Sequence, residues 1–118
     1  MFPCVCCGYL VNDEPPGSHN ICPICGWEDD ISQLRFPELA GGANKLSLLD
    51  AQSQMDGLDV SNKARALDVR REVGWRLIDL ELDDIERPVS GNDYGVSYPE
   101  GERSLYYWAD EYWRRTRN

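Results

Sequence analysis

The chain has 118 residues, a formal net charge of −9 and a sequence pI of about 4.4. This acidity argues against nucleic acid as a partner, because contacts to phosphate need a basic surface. No apolar run approaches the roughly 18 residues that span a bilayer, and residues 1–4 lack the basic and long apolar regions of a signal peptide. We therefore expect a cytoplasmic protein of one small domain, with no membrane segment.

Residues 1–30 hold all five cysteines and contain an internal repeat. Residues 4–9, CVCCGY, match residues 22–27, CPICGW, and both stretches read C-x-x-C-G-aromatic. Between them, residues 9–11 predict a short strand and residues 12–18, NDEPPGS, predict a turn. The expected structure is two knuckles of similar shape, joined by a hairpin-like excursion.

The middle of the chain predicts two helices. Ser47 is a suitable N-cap for the first helix, and Gly57 is expected to end it. The residues at helical spacing in that helix are Leu48, Leu49, Gln52 and Met55. The second helix is expected to start at a cap formed by Ser61 or Asn62 and to run to Val73. Beyond it, the pattern does not decide between helix and strand.

The C-terminal part predicts a loop at residues 88–95 and then a helix. Its apolar stripe, at spacings of three and four residues, consists of Leu105, Trp108, Ala109 and Tyr112. Three basic residues, which suit the C-terminus of a helix, follow as Arg114, Arg115 and Arg117. We expect Leu105, Trp108 and Tyr112 to face the core, which would leave Tyr106 or Trp113 exposed as a possible interface anchor.

Four cysteines have the spacing of a structural metal site, C-x₂-C-x₁₄-C-x₂-C. The predicted ligands are Cys4, Cys7, Cys22 and Cys25. Paired C-x₂-C motifs in a cytoplasmic chain favour a metal over disulfides, because thiols stay reduced in that compartment. Thiolates favour Zn²⁺, with iron as the alternative ion, because the two knuckles also resemble those of rubredoxin. Four protein ligands leave no open position for water, so the predicted site is structural and no enzyme activity is expected.

Two further residues, Cys6 and His19, could act as ligands but are not expected to do so. Cys6 aligns with Ile24 of the second knuckle, so we expect a small, partly buried residue that does not bind the metal. His19 could replace a cysteine in a Cys₃His site, but the second C-x₂-C motif makes this unnecessary. The acids at residues 28–30 are expected to cap the following helix or turn, or to bond Arg35 or Asn44, rather than to bind a second ion.

The segment 78–102 is strongly acidic, with eight acidic residues against one basic residue. Apolar residues interleave with the acids, so the segment is either a solvated face or an acidic ridge with apolar anchors. An acidic ridge of this kind suits a basic protein partner.

Residues 3–57 resemble the cysteine-rich CPCC family of small bacterial proteins. The matching stretches are PCVCCGY at 3–9, PGS at 16–18, ICPICGWEDD at 21–30 and GANKLSL at 42–48, with Val5 as a departure from the proline in the family's name. The resemblance implies a zinc-ribbon-like module with no established enzymatic activity, and it permits an immunity role because some members look like cargo of toxin–immunity loci.

The predicted fold is therefore α+β, with a small zinc-ribbon-like N-terminal subdomain packed on two or three helices. We divide the chain into a metal-binding module with a short helix, residues 1–57, and an acidic helical extension that ends in an aromatic helix, residues 58–118. The predicted function is a cytosolic immunity protein that neutralises a basic toxin domain by direct binding. The alternatives are a zinc-ribbon regulatory or accessory protein and a rubredoxin-like iron electron carrier.

Overall fold

Regular secondary structure in this protein consists of short elements. The computed structural model describes residues 1–87 and 98–115. Those residues form strands and helices at β1 (Phe2–Pro3), β2 (Leu10–Asn12), α1 (Ile31–Arg35), α2 (Leu48–Ser53) and α3 (Val60–Leu67), and a 3₁₀ helix at Met55–Leu58. This mixed content agrees with the predicted α+β class. Within the described ranges, no helix is long and apolar enough to cross a membrane. The loop predicted at residues 88–95, Asp93 of the acidic segment and Arg117 lie outside them.

The two strands flank the first cysteine knuckle. They pair antiparallel, with Phe2 opposite Asn12 and Pro3 opposite Leu10, and an irregularity lies between the two pairs. The strand predicted at residues 9–11 is thus confirmed with a shift of one residue. Such a short ladder is not stable by itself in water, so the packing around it must hold it in place.

Helix α1 was not predicted as a helix, but its cap was. The Asp30 carboxylate accepts hydrogen bonds from the backbone N–H groups of Ser32 at 2.8 Å and Gln33 at 3.2 Å. This confirms the capping role expected for the acids at residues 28–30. The fully buried Gln33 amide then donates to the carbonyl oxygens of Leu39, Asn44 and Leu46 at 3.0–3.1 Å. One side chain of α1 therefore fixes the turn at residues 39–46.

Helix α2 begins where it was predicted to begin, and α3 does not. The Ser47 hydroxyl accepts from the Asp50 N–H at 3.1 Å, which confirms the predicted cap. The prediction that Gly57 ends the helix is wrong, because Gly57 lies inside the 3₁₀ helix. The predicted start of α3 at Ser61 or Asn62 is wrong too, because the N-cap is Asp59.

The predicted extension of α3 to Val73 is also wrong. The helix ends at Leu67, and its C-cap, Asp68, takes the left-handed conformation with φ of 54°. The chain then turns back to the first knuckle, where the Leu10 N–H donates to the Arg70 carbonyl and the Glu72 N–H donates to the Gly8 carbonyl. These bonds to residues 8 and 10 occupy backbone groups of residues 70 and 72 that a continued helix would use.

The predicted C-terminal aromatic helix is wrong. Residues 101–115 form a succession of turns, and six consecutive residues, 104–109, are all buried. Leu105, Trp108 and Tyr112 face the core as predicted, but Tyr106 is fully buried and Trp113 is half-buried. Apolar residues at helical spacing favour a helix that buries one face and exposes the other. Residues 104–109 are buried on every side, so this spacing does not favour a helix there. Packing against the rest of the protein overrides the local pattern.

The buried amide of Gln33 offers a test of this fold. We expect Gln33→Leu to lower the free energy of unfolding by about 3 kcal/mol, because buried carbonyl groups then lose their donor. Gln54, which is exposed beside the end of α2, provides the control, and Gln54→Leu is expected to change stability by less than about 0.5 kcal/mol. Urea unfolding followed by tryptophan fluorescence measures both, and equal midpoints for the two variants would contradict the role given to Gln33.

Candidate metal centre

The first knuckle, residues 4–9, is a tight turn closed by two backbone hydrogen bonds. The Gly8 N–H donates to the Cys4 carbonyl at 2.7 Å, and the Cys4 N–H donates to the Tyr9 carbonyl at 2.9 Å. Gly8 has φ of 83°, a conformation that L side chains rarely adopt. A Cβ at Gly8 would also lie 2.3 Å from the Trp75 ring. Glycine is therefore required here both for the turn and for the packing of Trp75.

The second knuckle, residues 22–27, repeats this geometry. The Gly26 N–H donates to the Cys22 carbonyl at 3.0 Å, and the Cys22 N–H donates to the Trp27 carbonyl at 2.9 Å. Gly26 again has φ of 83°, but a Cβ there would meet no atom within 4 Å. The internal repeat predicted from the sequence thus corresponds to two turns with the same hydrogen-bond pattern.

The two knuckles bring four sulfur atoms together. The sulfurs of Cys4, Cys7, Cys22 and Cys25 all lie within 4.8 Å of one another, and all five cysteines are free thiols. The closest pairs are Cys4 with Cys25 at 3.6 Å and Cys7 with Cys22 at 3.7 Å. A tetrahedron with metal–sulfur bonds of about 2.3 Å has edges of about 3.8 Å. The residues therefore fit one tetrahedral ion, in a cluster where each close pair joins one knuckle to the other.

The electrostatics of the cluster also favour a cation. Hydrogen bonds with the Cys22 and Cys25 sulfurs raise the pKa of the Cys4 thiol. Hydrogen bonds with the other sulfurs, the largest from Cys22, lower the pKa of Cys25. The sulfurs thus cannot all ionise together unless a positive charge lies among them. One backbone group already favours thiolate, since the Ile24 N–H donates to the Cys22 sulfur at 3.4 Å.

Cys6 and His19 are not among the four residues whose ligand atoms all lie within 4.8 Å of one another in the described part of the chain. Cys6 is buried, at the position in its knuckle that Ile24 takes in the other, and both are 2% exposed. His19 is largely exposed, and its Nδ1 lies 3.8 Å from a Glu28 carboxylate oxygen. Cys6 lines an open cleft of about 470 Å³ beside Cys25.

Residues far along the chain support the first knuckle, and no local sequence pattern predicts their role. The Arg71 guanidinium donates to the Cys7 carbonyl at 2.9 Å, with its carbon atom 4.7 Å from the centre of the Tyr9 ring. The Val5 carbonyl accepts from Trp75 Nε1 at 3.1 Å and from Gln52 Nε2 at 3.2 Å. These contacts order the knuckle that supplies Cys4 and Cys7.

A model of the family described as cysteine-rich CPCC matches residues 2–74, which is more than half of the chain. The match confirms the resemblance noted for residues 3–57 and extends it to residue 74, a range that includes Arg71. No curated protein matches the sequence.

The glycines of the knuckles provide a graded test. We expect Gly8→Ala to lower the free energy of unfolding by about 3 kcal/mol or more, because it combines an unfavourable φ with a clash against Trp75. Gly26→Ala should cost about 1–2 kcal/mol, because only the φ is unfavourable.

Gly57→Ala is the matched control, because Gly57 has no positive φ and no atom within 4 Å of the added Cβ. It should leave stability unchanged or slightly raise it. Chemical denaturation of the three metal-loaded variants ranks their free energies of unfolding. A Gly8 variant as stable as the Gly57 variant would refute the described knuckle geometry.

Proposed function

The chain belongs to the cysteine-rich CPCC family, and we propose that its four-cysteine cluster holds one Zn²⁺ that stabilises a module for binding another protein. The observation that carries the proposal is the mutual approach of four sulfurs from two matching knuckles. When bound, the ion supplies folding energy, because the site exists only in the folded chain.

Zinc is favoured by the ligands themselves. Four thiolates are soft ligands, unlike the oxygen donors that bind Mg²⁺ or Ca²⁺. Zn²⁺ accepts a tetrahedral arrangement without a preference from its d electrons. Iron in the same site would make the protein a rubredoxin-like electron carrier, and that alternative predicts a coloured protein with visible absorption.

The proposed centre is structural because its four ligands fill the coordination shell. Catalytic zinc sites keep one position for water or substrate. The function is therefore assigned to the protein surface, and no enzyme activity is proposed. The net charge of −9, to which four thiolates and one Zn²⁺ add about −2, favours a basic protein as the partner.

Within this class we propose a cytosolic immunity protein that neutralises a basic toxin domain by direct binding. The support is the acidity of the chain, together with the toxin–immunity setting that the family resemblance permits. An immunity protein must bind tightly and need not catalyse a reaction, which suits a closed metal centre. Complementary charge would speed its association with a basic toxin such as a nuclease.

The ligand assignment is tested by metal content. We expect Cys22→Ser to lose most of the bound zinc and to unfold the N-terminal third, because three thiolates leave the ion incompletely held. Cys6→Ser should retain about one zinc per chain, because Cys6 lies outside the four-sulfur cluster. Mass spectrometry of metals in the purified variants measures the ratio, and equal zinc loss in both would overturn the assignment.

The immunity role is tested with a toxin domain encoded beside this protein's gene. We expect the purified protein to bind that domain and to abolish its toxicity when the two are co-expressed. Binding should weaken as salt is raised, since charges drive the encounter. Failure of the adjacent toxin to bind, or the absence of any toxin-like neighbour, would remove the support for immunity.

A further inference from the structure

Residues 76–83, here called the leucine loop, expose three large apolar side chains. Leu77 is 49% exposed, Leu80 is 47% exposed and Leu82 is 77% exposed. Together with Leu49 and Ile78 they line a shallow groove of about 620 Å³. Scattered exposed leucines are normal, but several on one short segment form an apolar patch of the kind found at interaction sites.

The leucine loop is held in shape by its own hydrogen bonds. The Arg76 guanidinium and the Asp83 carboxylate form a two-pronged ion pair, at 2.6 and 2.8 Å, and the Asp83 side chain is only 2% exposed. The same carboxylate accepts from the Asp79 N–H at 2.7 Å, and the Asp79 carbonyl accepts from the N–H groups of Leu82 and Asp83. The leucines are therefore presented to solvent by an ordered turn.

The loop is also anchored to the core at its start. The Ile78 N–H donates to Gln52 Oε1 at 3.0 Å, and the Tyr107 hydroxyl donates to the Arg76 carbonyl. Gln52 and Tyr107 are both buried. An ordered apolar surface loses little conformational entropy when a partner binds, so the exposed leucines are preorganised for contact.

Ion pairing leaves two carboxylates beside the leucines. Asp83 pairs with Arg76, Asp84 with Arg114 and Glu86 with Arg35. Asp79 and Glu81 are exposed and form no ion pair among residues 1–87 and 98–115. They alternate in sequence with Leu80 and Leu82. The patch therefore combines apolar area with two carboxylates that lie outside the ion pairs of the described residues.

We propose that the leucine loop is the docking surface for a basic amphipathic segment of a partner protein, an inference that rests on the proposed protein-binding function. Apolar side chains of that segment contact Leu77, Leu80 and Leu82, and its lysine or arginine residues pair with Asp79 and Glu81. A second copy of this chain is a poor occupant, because a two-fold contact through the patch would bring the same carboxylates together.

The test uses full-length, zinc-loaded protein and a synthetic helical peptide of about 18 residues, with leucine on one face and lysine on the other. Fluorescence anisotropy measures affinity, and amide NMR shifts locate the contact. We expect the peptide to bind at residues 76–83. The variant L77S/L80S/L82S should weaken binding by about tenfold or more. D79N/E81Q should weaken it several-fold and reduce its dependence on salt.

The control variant is L67S/V73S, which removes two exposed apolar side chains elsewhere on the surface, Leu67 at 49% and Val73 at 95% exposure. It should bind the peptide as the unchanged protein does, and all variants should retain zinc. Two further peptides replace lysine with glutamate, or leucine with serine, and both should bind more weakly. Sedimentation of the protein alone should show no association that depends on the leucine loop.

The proposal is overturned if the lysine–leucine peptide does not bind, or if it binds L77S/L80S/L82S and the unchanged protein equally. If the glutamate peptide binds equally well, the partner need not be basic, and that part of the proposal is refuted. If the protein self-associates and L77S/L80S/L82S abolishes this, the occupant is a second copy of the chain. The proposed function fails separately. A toxin that does not bind, with a peptide that does, refutes immunity alone, whereas a toxin that binds L77S/L80S/L82S unchanged refutes only this surface.

Discussion

The approach of four sulfurs across two knuckles is the constraint on which the rest of the structure depends. Cys4 meets Cys25 and Cys7 meets Cys22, so each close pair joins one turn to the other. The strands beside them have only two and three residues, and a ladder of this length does not hold two segments together. Because the described residues hold only short elements, a metal cross-link among these side chains would take the place that a larger sheet would have.

One buried amide, that of Gln52, connects that centre to the leucine loop. Gln52 donates through Nε2 to the Val5 carbonyl of the first knuckle and to the Tyr107 hydroxyl, and it accepts through Oε1 from the Ile78 N–H. Every part of this amide is thus used, as a buried polar group requires. The first knuckle, the aromatic C-terminal segment and the leucine loop therefore share one hydrogen-bonded junction, and their order is mutually dependent.

The features that sequence reasoning predicted are those set by a few neighbouring residues. The knuckles follow from cysteine and glycine at fixed spacing, and the start of α2 follows from the Ser47 hydroxyl. Two of the failures have long-range causes. The residues after Asp68 leave the helix to bond the first knuckle, and residues 104–109 are enclosed on all sides. No local pattern reports that enclosure, because it depends on what the rest of the chain places around the segment.

Asp79 and Glu81, which form no ion pair among the described residues, would complement the proposed zinc centre. A zinc ion held by all four sulfurs would have no open position for chemistry, and under this proposal it would affect a partner only through the surface that it orders. The ion pairs of Asp83, Asp84 and Glu86 neutralise most of the acids near the leucine loop, and this concentrates the remaining local charge at Asp79 and Glu81. Apolar area would then supply affinity while two carboxylates select a basic partner. Because Gln52 links Val5 to Ile78, loss of the metal would disorder that surface along with the knuckle, and partner binding would depend on zinc without any contact to the ion.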